Sequence, residues 1–365
     1  MPQLDALRAI AVVMVIWSHW SGYHNNLWED TFWFNGQIGV QLFFVLSGFL
    51  ITGILLKERD RGSQLRIPRS EILKVFYVRR VLRIFPLFYL TLLITYLLNQ
   101  PDVVHTIKWH VLYLTNVLFA VGGEYQDTVA HFWSLAVEEQ FYLFWPLLML
   151  YIPKRYLFIT ICITITIAPV FRFVGAYGFD WNDVTVNVIT FSSLDALGLG
   201  GLFAYLREYS TGRNVKALRI LLYFCLACLL LFFFFKRAPI GLSYETREFM
   251  TRLVLAPALL VPVWLGARGV SGFVGKLLTL KPFLYIGKIS YGIYILHFFI
   301  PYYTFKIFHD SGFLFWNEIG VIPYLALNII LLISLCSISW YLIETPLINL
   351  KRFFPYGKRR VVLSN

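Results

Sequence analysis

The sequence has little charge and few cysteines, and each scarcity excludes a class of protein. Only 14% of the 365 residues are charged, whereas 58% are apolar, and the mean hydropathy is +0.67. A soluble domain of this length cannot bury so much apolar surface. The composition therefore predicts a polytopic membrane protein.

The four cysteines lie within apolar runs and argue against a metal site. Cys225 and Cys228 have the spacing of half a zinc site, but no second pair and no histidine set accompanies them. We therefore expect no metal and interpret all four as packing residues. They are Cys162, Cys225, Cys228 and Cys336.

Apolar runs of about 20 residues, the length that spans a bilayer, predict an all-α fold: a bundle of about ten transmembrane helices. The runs lie near residues 4–22, 36–56, 81–99, 131–152, 155–172, 184–206, 217–235, 248–267, 282–305 and 321–343. They leave no room for an appended soluble domain. We therefore expect one integral-membrane domain over residues 1–350, followed by a basic cytoplasmic tail over residues 351–365.

Basic residues are concentrated on one side of these predicted spans. With a cytoplasmic N-terminus, 25 of the 32 Lys and Arg residues fall in cytoplasmic segments, and 13 of the 20 acids fall in outer segments. This bias follows the positive-inside rule, places both termini in the cytoplasm and explains the net charge of +12 without a nucleic-acid partner. A span at residues 102–121 would invert the bias, so we interpret that stretch as an interfacial or re-entrant outer segment.

Ionisable residues inside spanning helices are costly, so each marks a functional candidate. Arg8 and His19 are eleven residues apart, a rotation of about 1100° that returns to within about 20° of whole turns. Both side chains therefore lie on one face of the first helix, with His19 roughly 16 Å further along. The alternative is an arginine anchored at the interface and a histidine bonded within the core.

The segment HFWSLAVEEQFYLFW carries a polar stripe, because Ser134, Glu138 and Tyr142 follow each other at i, i+4 and i+8. Glu139 points about 100° away, so Glu138 is the carboxylate expected inside the bundle, where it can orient an imidazole as the acid of a triad does. We expect Ser134 and Tyr142 to contact substrate. A structural salt bridge at the outer mouth is the alternative.

The segment KVFYVRRVLRIFP places Arg79, Arg80 and Arg83 on adjoining faces at the start of a helix. Arginine forks bind phosphates bidentately and keep their charge. We predict that these arginines bind the phosphates of a cytosolic ligand. Topology and anionic lipid head groups are the alternative explanation.

Three further features of the sequence can be interpreted, one as a packing segment and two as either structural or functional residues. The segment GQIGVQLFFVLSGFLITG predicts close helix packing. Asp195 is an acid within an apolar run and is expected to line a cavity or to pair with a hydroxyl. His297 lies toward the outer half of its predicted span, where acceptor binding and structural bonding are both open. In the segment GQIGVQLFFVLSGFLITG, the residues expected to pack closely against other helices are Gly39, Ser47, Gly48 and Gly53.

Six segments together carry a family resemblance: LDALRAIAVVMVIWSH, GVQLFFVLSGFLITG, FYVRRVLRIFP, FWSLAVEEQFYLFWP, ISYGIYILH and IETP. The spacing of Arg8 and His19 and the run WSLAVEEQFY are the specific parts. In this order, over nearly the whole chain, the segments resemble the membrane-bound acyltransferase-3 family of bacterial O-acyltransferases.

The resemblance implies transfer of an acyl group, usually acetyl, from cytoplasmic acyl-CoA (usually acetyl-CoA) to an extracytoplasmic carbohydrate hydroxyl, such as one of O-antigen or exopolysaccharide. It implies a bacterial inner-membrane protein in contact with lipid, in which His19 and Arg8 are essential and Arg80 and Arg83 act on the CoA side. Some members carry a hydrolase-like domain after the bundle; this sequence resembles the stand-alone members.

The residues and the resemblance combine into one mechanistic hypothesis. Arg79, Arg80 and Arg83 bind the CoA phosphates, and Arg8 lines the donor's path. His19 deprotonates the acceptor hydroxyl or carries the acyl group itself, while Glu138 holds the imidazole in the required tautomer. The alternatives are a proton-coupled transporter or flippase for a glycolipid and a structural or sensory membrane protein.

Overall fold

The computed structural model describes residues 1–21, 36–209, 213–237, 244–310 and 320–356, and helices are the only regular elements among them. The first nine α-helices are α1 Pro2–Ser21, α2 Gly36–Leu65, α3 Arg69–Leu97, α4 Pro101–Val104, α5 Ile107–Val111, α6 Thr115–Gly122, α7 Phe132–Tyr151, α8 Leu157–Phe173 and α9 Asp183–Val188. The others are α10 Leu194–Glu208, α11 Arg213–Arg237, α12 Tyr244–Arg268, α13 Gly272–Leu277, α14 Lys281–Lys288, α15 Ser290–Leu296, α16 Phe299–Asp310, α17 Val321–Ser339 and α18 Thr345–Asn349. The predicted all-α fold is confirmed for this part of the chain.

Six helical stretches in the described ranges are long and apolar enough to cross a membrane, so the expected count of about ten is not confirmed. They are Gly36–Leu65, Arg69–Leu97, Lys154–Gly178, Val215–Phe235, Thr246–Arg268 and Val321–Phe353. Of the other predicted spans, two form the single helices α1 and α7, which carry many of the polar candidates. The run at 184–206 divides near Ile189, and the run at 282–305 divides at Ile289 and again at His297.

The break at His297 has a cause in the sequence. Pro301 lies four residues after His297, so it cannot supply the backbone N–H that a continuous helix would direct at the His297 carbonyl, and its ring crowds that oxygen. Helix α15 accordingly ends at Leu296 and α16 begins at Phe299. A hydropathy window does not register such a break, because the flanking residues remain apolar.

The segment at residues 102–121 folds as parts of three short helices, α4, α5 and α6, of 4, 5 and 8 residues. None reaches the roughly 20 residues that a helix needs to cross a bilayer. This agrees with the expectation that the segment does not span the membrane.

Helix α2 lies at the centre of the bundle and packs against α1, α7, α10 and α12. A Cβ atom at Gly48 would lie 1.9 Å from the Leu197 carbonyl oxygen, and one at Gly200 would lie 2.1 Å from that of Val45. The backbones of α2 and α10 therefore touch, which only glycine allows. Gly48 has the packing role predicted from the sequence. Gly53, with no atom within 4 Å of its Cβ position, does not.

Helix α1, which carries Arg8 and His19, is held on two sides in the same way. A Cβ atom at Gly39 of α2 would lie 2.5 Å from the Ala11 carbonyl oxygen, and one at Gly287 of α14 would lie 1.8 Å from that of Asp5. The candidate arginine and histidine are thus mounted on a helix whose backbone is fixed by its neighbours.

We expect Gly48→Ala to destabilise the protein and Gly53→Ala to leave it unchanged or slightly more stable. The added methyl group at position 48 must push α2 away from Leu197, at a cost of about 1–3 kcal/mol, whereas the position at Gly53 is open. Thermal unfolding of both variants in lipid nanodiscs provides the measurement. Equal melting temperatures would contradict the proposed contact between α2 and α10.

Candidate functional site

Three adjoining cavities run through the described part of the bundle. The basic cavity, about 280 Å³, is lined by Lys57, Arg79, Arg80, Arg83, Lys351 and Tyr356, among others. The central cavity, about 100 Å³, is lined by Arg8, Ser47, Arg80, Arg83, Glu138 and Tyr142, among others. The histidine cavity, about 850 Å³, is lined by His19, His131, Trp133, Arg172, Arg252 and Tyr302, among others.

Shared wall residues show that the three cavities lie next to one another in series. Arg80 and Arg83 belong to the walls of both the basic and the central cavity. Val40 and Tyr294 belong to the walls of both the central and the histidine cavity. The predicted site residues are therefore arranged along one path rather than in one pocket.

The basic cavity has a large excess of positive charge. Its described lining contains one acid, Glu58, against five bases: Lys57, Arg79, Arg80, Arg83 and Lys351. Cations held this close together repel one another unless an anion lies among them, and guanidinium groups pair with phosphate in particular. The lining therefore suits a ligand with several negative charges.

Arg79, which was predicted to bind phosphate, instead directs its guanidinium group at backbone carbonyl oxygens. Its Nε donates to the Phe354 carbonyl oxygen at 2.9 Å, and its Nη2 donates to that of Lys351 at 3.5 Å. Its guanidinium also lies 4.7 Å from the ring centre of Tyr356. Arg79 thus holds the stretch from Lys351 to Tyr356 against the cavity as one of its walls, a role that sequence reasoning missed because it treated this basic stretch as a topology signal.

The central cavity collects most of the other predicted residues. Arg8, Arg80, Arg83, Ser134, Glu138 and Tyr142 all line it. Arg8 pairs with Asp5 at 2.7 Å, and the Arg80 guanidinium lies 4.9 Å from the ring centre of Tyr142. The residues that helical spacing singled out on α1, α3 and α7 therefore line the same cavity.

Glu138 does not hold the His19 imidazole, which corrects the expectation of a triad-like acid. The Glu138 carboxylate accepts a hydrogen bond from Ser47 Oγ at 2.7 Å, and Tyr142 in turn donates to Ser47 Oγ at 3.0 Å. The polar stripe of α7 thus faces the Ser47 side of α2 rather than His19. Ser47, which the sequence assigned to packing, is its hydrogen-bond partner.

His19 is instead bonded to another histidine. Its Nδ1 lies 3.0 Å from Nε2 of His297, and the two rings stack with their centres 5.1 Å apart. His131 joins them, with its ring 4.8 Å from that of His297. His297 was predicted to bind the acceptor or to be structural; the structure makes it the neighbour of His19.

The histidine cluster is anchored to the backbone at the break between α15 and α16. His297 Nδ1 donates to the Tyr294 carbonyl oxygen at 2.6 Å, and His131 Nε2 donates to that of Ile295 at 3.0 Å. Trp20 Nε1 donates to the His297 carbonyl oxygen at 2.9 Å. Three carbonyls at the break, those of Tyr294, Ile295 and His297, therefore have side-chain donors.

The remaining wall of the histidine cavity suits a polar ligand. Arg172 and Arg252 line it, and no aspartate or glutamate of the described residues does. Five buried polar atoms of its lining residues have no hydrogen-bond partner among the described residues: Gln41 Oε1, His131 Nδ1, Arg172 Nε, Asn187 Oδ1 and Arg252 Nε, the last of which forms only an ion pair with Glu248 at 3.5 Å. Buried polar groups are rarely left unpaired, so their concentration around one cavity indicates a hydroxyl-rich or otherwise polar occupant.

Asp195, which the sequence led us to expect in a cavity wall or paired with a hydroxyl, lies behind this wall and pairs with an arginine instead. Its Oδ2 pairs with Arg172 Nη2 at 2.6 Å, and both side chains are buried. Arg172 Nη1 also donates to the Ser192 carbonyl oxygen at 2.5 Å. Arg172 was not among the predicted site residues, although an arginine at the end of an apolar run is a signal of the same kind as Arg8.

Within the described residues, no group of three or more His, Cys, Asp or Glu side chains is arranged to hold a metal ion. In the histidine cluster the ring nitrogens His131 Nε2 and His297 Nδ1 already donate to backbone carbonyls. The residues able to hold a large anionic cofactor or donor are those of the basic cavity.

Comparison with known proteins identifies the family of the chain. The model of the acyltransferase-3 family, described as an acyltransferase domain, matches residues 1–344. The chain belongs to this family. Family membership and the apolar helices together make it an integral membrane protein. No solved structure matches the chain significantly.

Among similar proteins is the peptidoglycan O-acetyltransferase OatA of Listeria monocytogenes, 28% identical over 371 residues, which cover 95% of this chain and 55% of OatA. A putative O-acetyltransferase of Staphylococcus aureus is 29% identical over 95% of this chain and 57% of its own length. The putative peptidoglycan O-acetyltransferase YrhL of Bacillus subtilis is 28% identical over 98% and 56%. The chain thus spans little more than half the length of these relatives.

We expect Asp195→Asn to lower the free energy of unfolding by about 3–5 kcal/mol, because it leaves the buried Arg172 charge without its partner. The double variant Arg172→Met/Asp195→Leu should recover most of that loss. Asp60→Asn is the control, since it breaks the exposed Lys154–Asp60 pair and should cost no more than about 1 kcal/mol. Unfolding in nanodiscs provides the measurement, and equal losses for Asp195→Asn and Asp60→Asn would contradict the prediction.

Proposed function

We propose that this protein is a membrane O-acyltransferase that moves an acyl group, acetyl in the simplest case, from cytoplasmic acyl-CoA to a hydroxyl of a cell-envelope carbohydrate on the other side of the membrane. The observation that carries the proposal is the series of cavities, with a cationic cavity at one end and a histidine cluster at the other. The O-acetyltransferase names of the relatives support the reaction class.

The donor enters with its phosphates in the basic cavity, which faces the cytoplasm under the positive-inside rule. Arg80 and Arg83 stand where this cavity meets the central one, so they bind the phosphates nearest the pantetheine arm. The central cavity, about 100 Å³, is too small for a nucleotide, so only the pantetheine arm extends into it. The arm therefore carries the thioester past Arg8 and Glu138 toward His19.

The acceptor occupies the histidine cavity, whose volume of about 850 Å³ lies in the range of small-molecule sites. Trp133 and Tyr302 offer apolar ring faces, while the unpaired polar atoms offer hydrogen bonds. This combination suits a sugar. O-antigen and exopolysaccharide remain candidate acceptors, and the likeness to OatA adds peptidoglycan.

The chemistry follows general acid–base catalysis. His19 accepts the proton of the acceptor hydroxyl while the hydroxyl oxygen attacks the thioester carbonyl. The tetrahedral intermediate then collapses, the carbon–sulfur bond breaks, and the proton passes from His19 to the departing CoA thiolate. Transfer of the acyl group to His19 first, and then to the hydroxyl, is the alternative order.

A glycolipid transporter is the second candidate, because a series of adjoining cavities in a membrane protein is also what transport requires. The small central cavity argues against it, since a glycan is larger than a space of about 100 Å³. Binding of acyl-CoA separates the two functions, because a transporter of glycolipids has no need of CoA.

The decisive test is acetyl-CoA binding and acetyl transfer by the protein in nanodiscs. We expect Arg80→Ala/Arg83→Ala to weaken binding by about 100-fold or more, because each charge-assisted hydrogen bond contributes about 1.5–3 kcal/mol. His19→Ala should bind acetyl-CoA like the wild type yet transfer nothing. Arg155→Ala, which removes an exposed base that stacks on Tyr156, is the matched control and should change neither.

Two results would contradict the proposal. Wild-type protein that binds neither acetyl-CoA nor longer acyl-CoAs would exclude the transferase and favour the transporter. Full transfer by His19→Ala would exclude His19 as base and as acyl carrier.

The lining of the basic cavity generates a second prediction. Lys351→Gln should weaken binding of acetyl-CoA by about 10-fold and leave binding of acetyl-pantetheine unchanged, because pantetheine lacks the nucleotide phosphates. Arg79→Ala should do the same by releasing the wall that carries Lys351. Calorimetric titration of both ligands provides the measurement; an equal loss for the two ligands would place Lys351 away from the phosphates.

A further inference from the structure

Hydrogen bonding at the histidine cluster determines which nitrogen of each ring carries the proton. A backbone carbonyl oxygen can only accept a hydrogen bond, so a ring nitrogen bonded to it must be an N–H. His297 Nδ1 lies 2.6 Å from the Tyr294 carbonyl oxygen and is therefore protonated. In a neutral imidazole the other nitrogen, Nε2, then has a lone pair and can only accept.

The same reasoning extends from His297 to His19. His297 Nε2 lies 3.0 Å from His19 Nδ1, and because Nε2 accepts, His19 Nδ1 must be the donor. The proton of neutral His19 is then on Nδ1, and its lone pair is on Nε2. His19 lines the histidine cavity, so the nitrogen left for a ligand there is the basic one.

The surroundings favour the neutral form of all three rings. None of the three histidines forms an ion pair within the described part of the chain. His297 is 0% exposed and His131 is 2% exposed, and a charge buried without a counter-ion is strongly disfavoured. The three rings are therefore neutral, and each has the tautomer that its hydrogen bonds require.

We infer that His297 is a positioning residue that sets the tautomer of His19, so that His19 Nε2 presents its lone pair to the acceptor hydroxyl. His297 takes the place that the sequence suggested for Glu138. This inference rests on the proposed role of His19 in acyl transfer, but the tautomer itself can be observed without any activity.

The backbone contacts make this arrangement rigid. Trp20, the neighbour of His19 on α1, donates to the His297 carbonyl oxygen at 2.9 Å. The Phe298 ring lies 4.6 Å from that of His19 and 4.9 Å from that of His131. Rotation of either imidazole would therefore break a hydrogen bond or displace an aromatic ring.

Two substitutions at His297 separate its two nitrogens. His297→Gln places an amide oxygen near the position of Nε2 and can still accept from His19 Nδ1. His297→Asn offers an amide near the position of Nδ1, which can bond Tyr294 but cannot reach His19. The two variants remove the same ring and differ in the contact to His19, so a general loss of packing affects both.

The experiment is nitrogen-15 NMR of histidine-labelled protein in nanodiscs, with the His19 signals assigned by their loss in His19→Asn. We expect the Nδ1–H tautomer of His19 in the wild type and in His297→Gln, and a shift toward Nε2–H in His297→Asn. His131→Gln, which alters the cluster but not the His19–His297 bond, should keep the Nδ1–H tautomer.

Kinetics supply the second readout. His297→Asn should lower kcat for acetyl transfer by about 10²- to 10⁴-fold, the range of general-base contributions, with the KM for acetyl-CoA unchanged, because His297 is remote from the basic cavity. His297→Gln should stay within about 10-fold of the wild type, since it leaves the base in place.

Three results would overturn the inference: an Nε2–H tautomer of His19 in the wild type, an unchanged tautomer in His297→Asn, or equal kcat values for His297→Asn and His297→Gln. A wild-type protein with the expected spectrum but no transfer of acetyl would instead contradict the proposed function and leave the tautomer assignment standing.

Discussion

The break in the helix at His297 is the constraint on which the outer part of the site depends. Pro301 removes the donor that the His297 carbonyl would have had, and a membrane interior offers no water to replace it. Side chains supply the missing donors: Trp20 donates a hydrogen bond to the His297 carbonyl oxygen, and His131 donates one to that of Ile295. Three segments distant in sequence are thereby tied to one point, and the His19 imidazole is placed at the same point.

Charge divides the path into two unlike halves. The basic cavity has four more bases than acids in its described lining, whereas no histidine of the cluster forms an ion pair with any residue that the structure describes. Exposed cations cost little while they are hydrated, but crowding Arg79, Arg80 and Arg83 beside Lys351 is favourable only with an anion among them. A donor with phosphates at one end and a neutral thioester at the other matches this gradient, and it explains why the two ends of one substrate need such different surroundings.

Helical geometry made part of the site predictable from the sequence. The rest depends on tertiary packing, which the sequence pattern does not reveal. The spacing of Arg8 and His19 fixes their separation along α1, and the stripe of Ser134, Glu138 and Tyr142 follows from the helical repeat; all five line the path. Which helix each face meets does not follow from periodicity. His297 is 278 residues from His19 in sequence, and the ten-span count is not confirmed where polar residues and breaks interrupt otherwise apolar runs.

A histidine beside the proposed base has a physical advantage over the carboxylate that the sequence suggested. A buried carboxylate would place a permanent charge next to hydrocarbon, with a desolvation cost of several kcal/mol, whereas His297 fixes the same tautomer with no charge at all. When His19 takes the acceptor's proton, the new positive charge can be shared through the Nδ1–Nε2 hydrogen bond with a second imidazole. The His19–His297 pair therefore carries a charge only during the reaction, which is when a charge-assisted hydrogen bond is strongest and contributes most to catalysis.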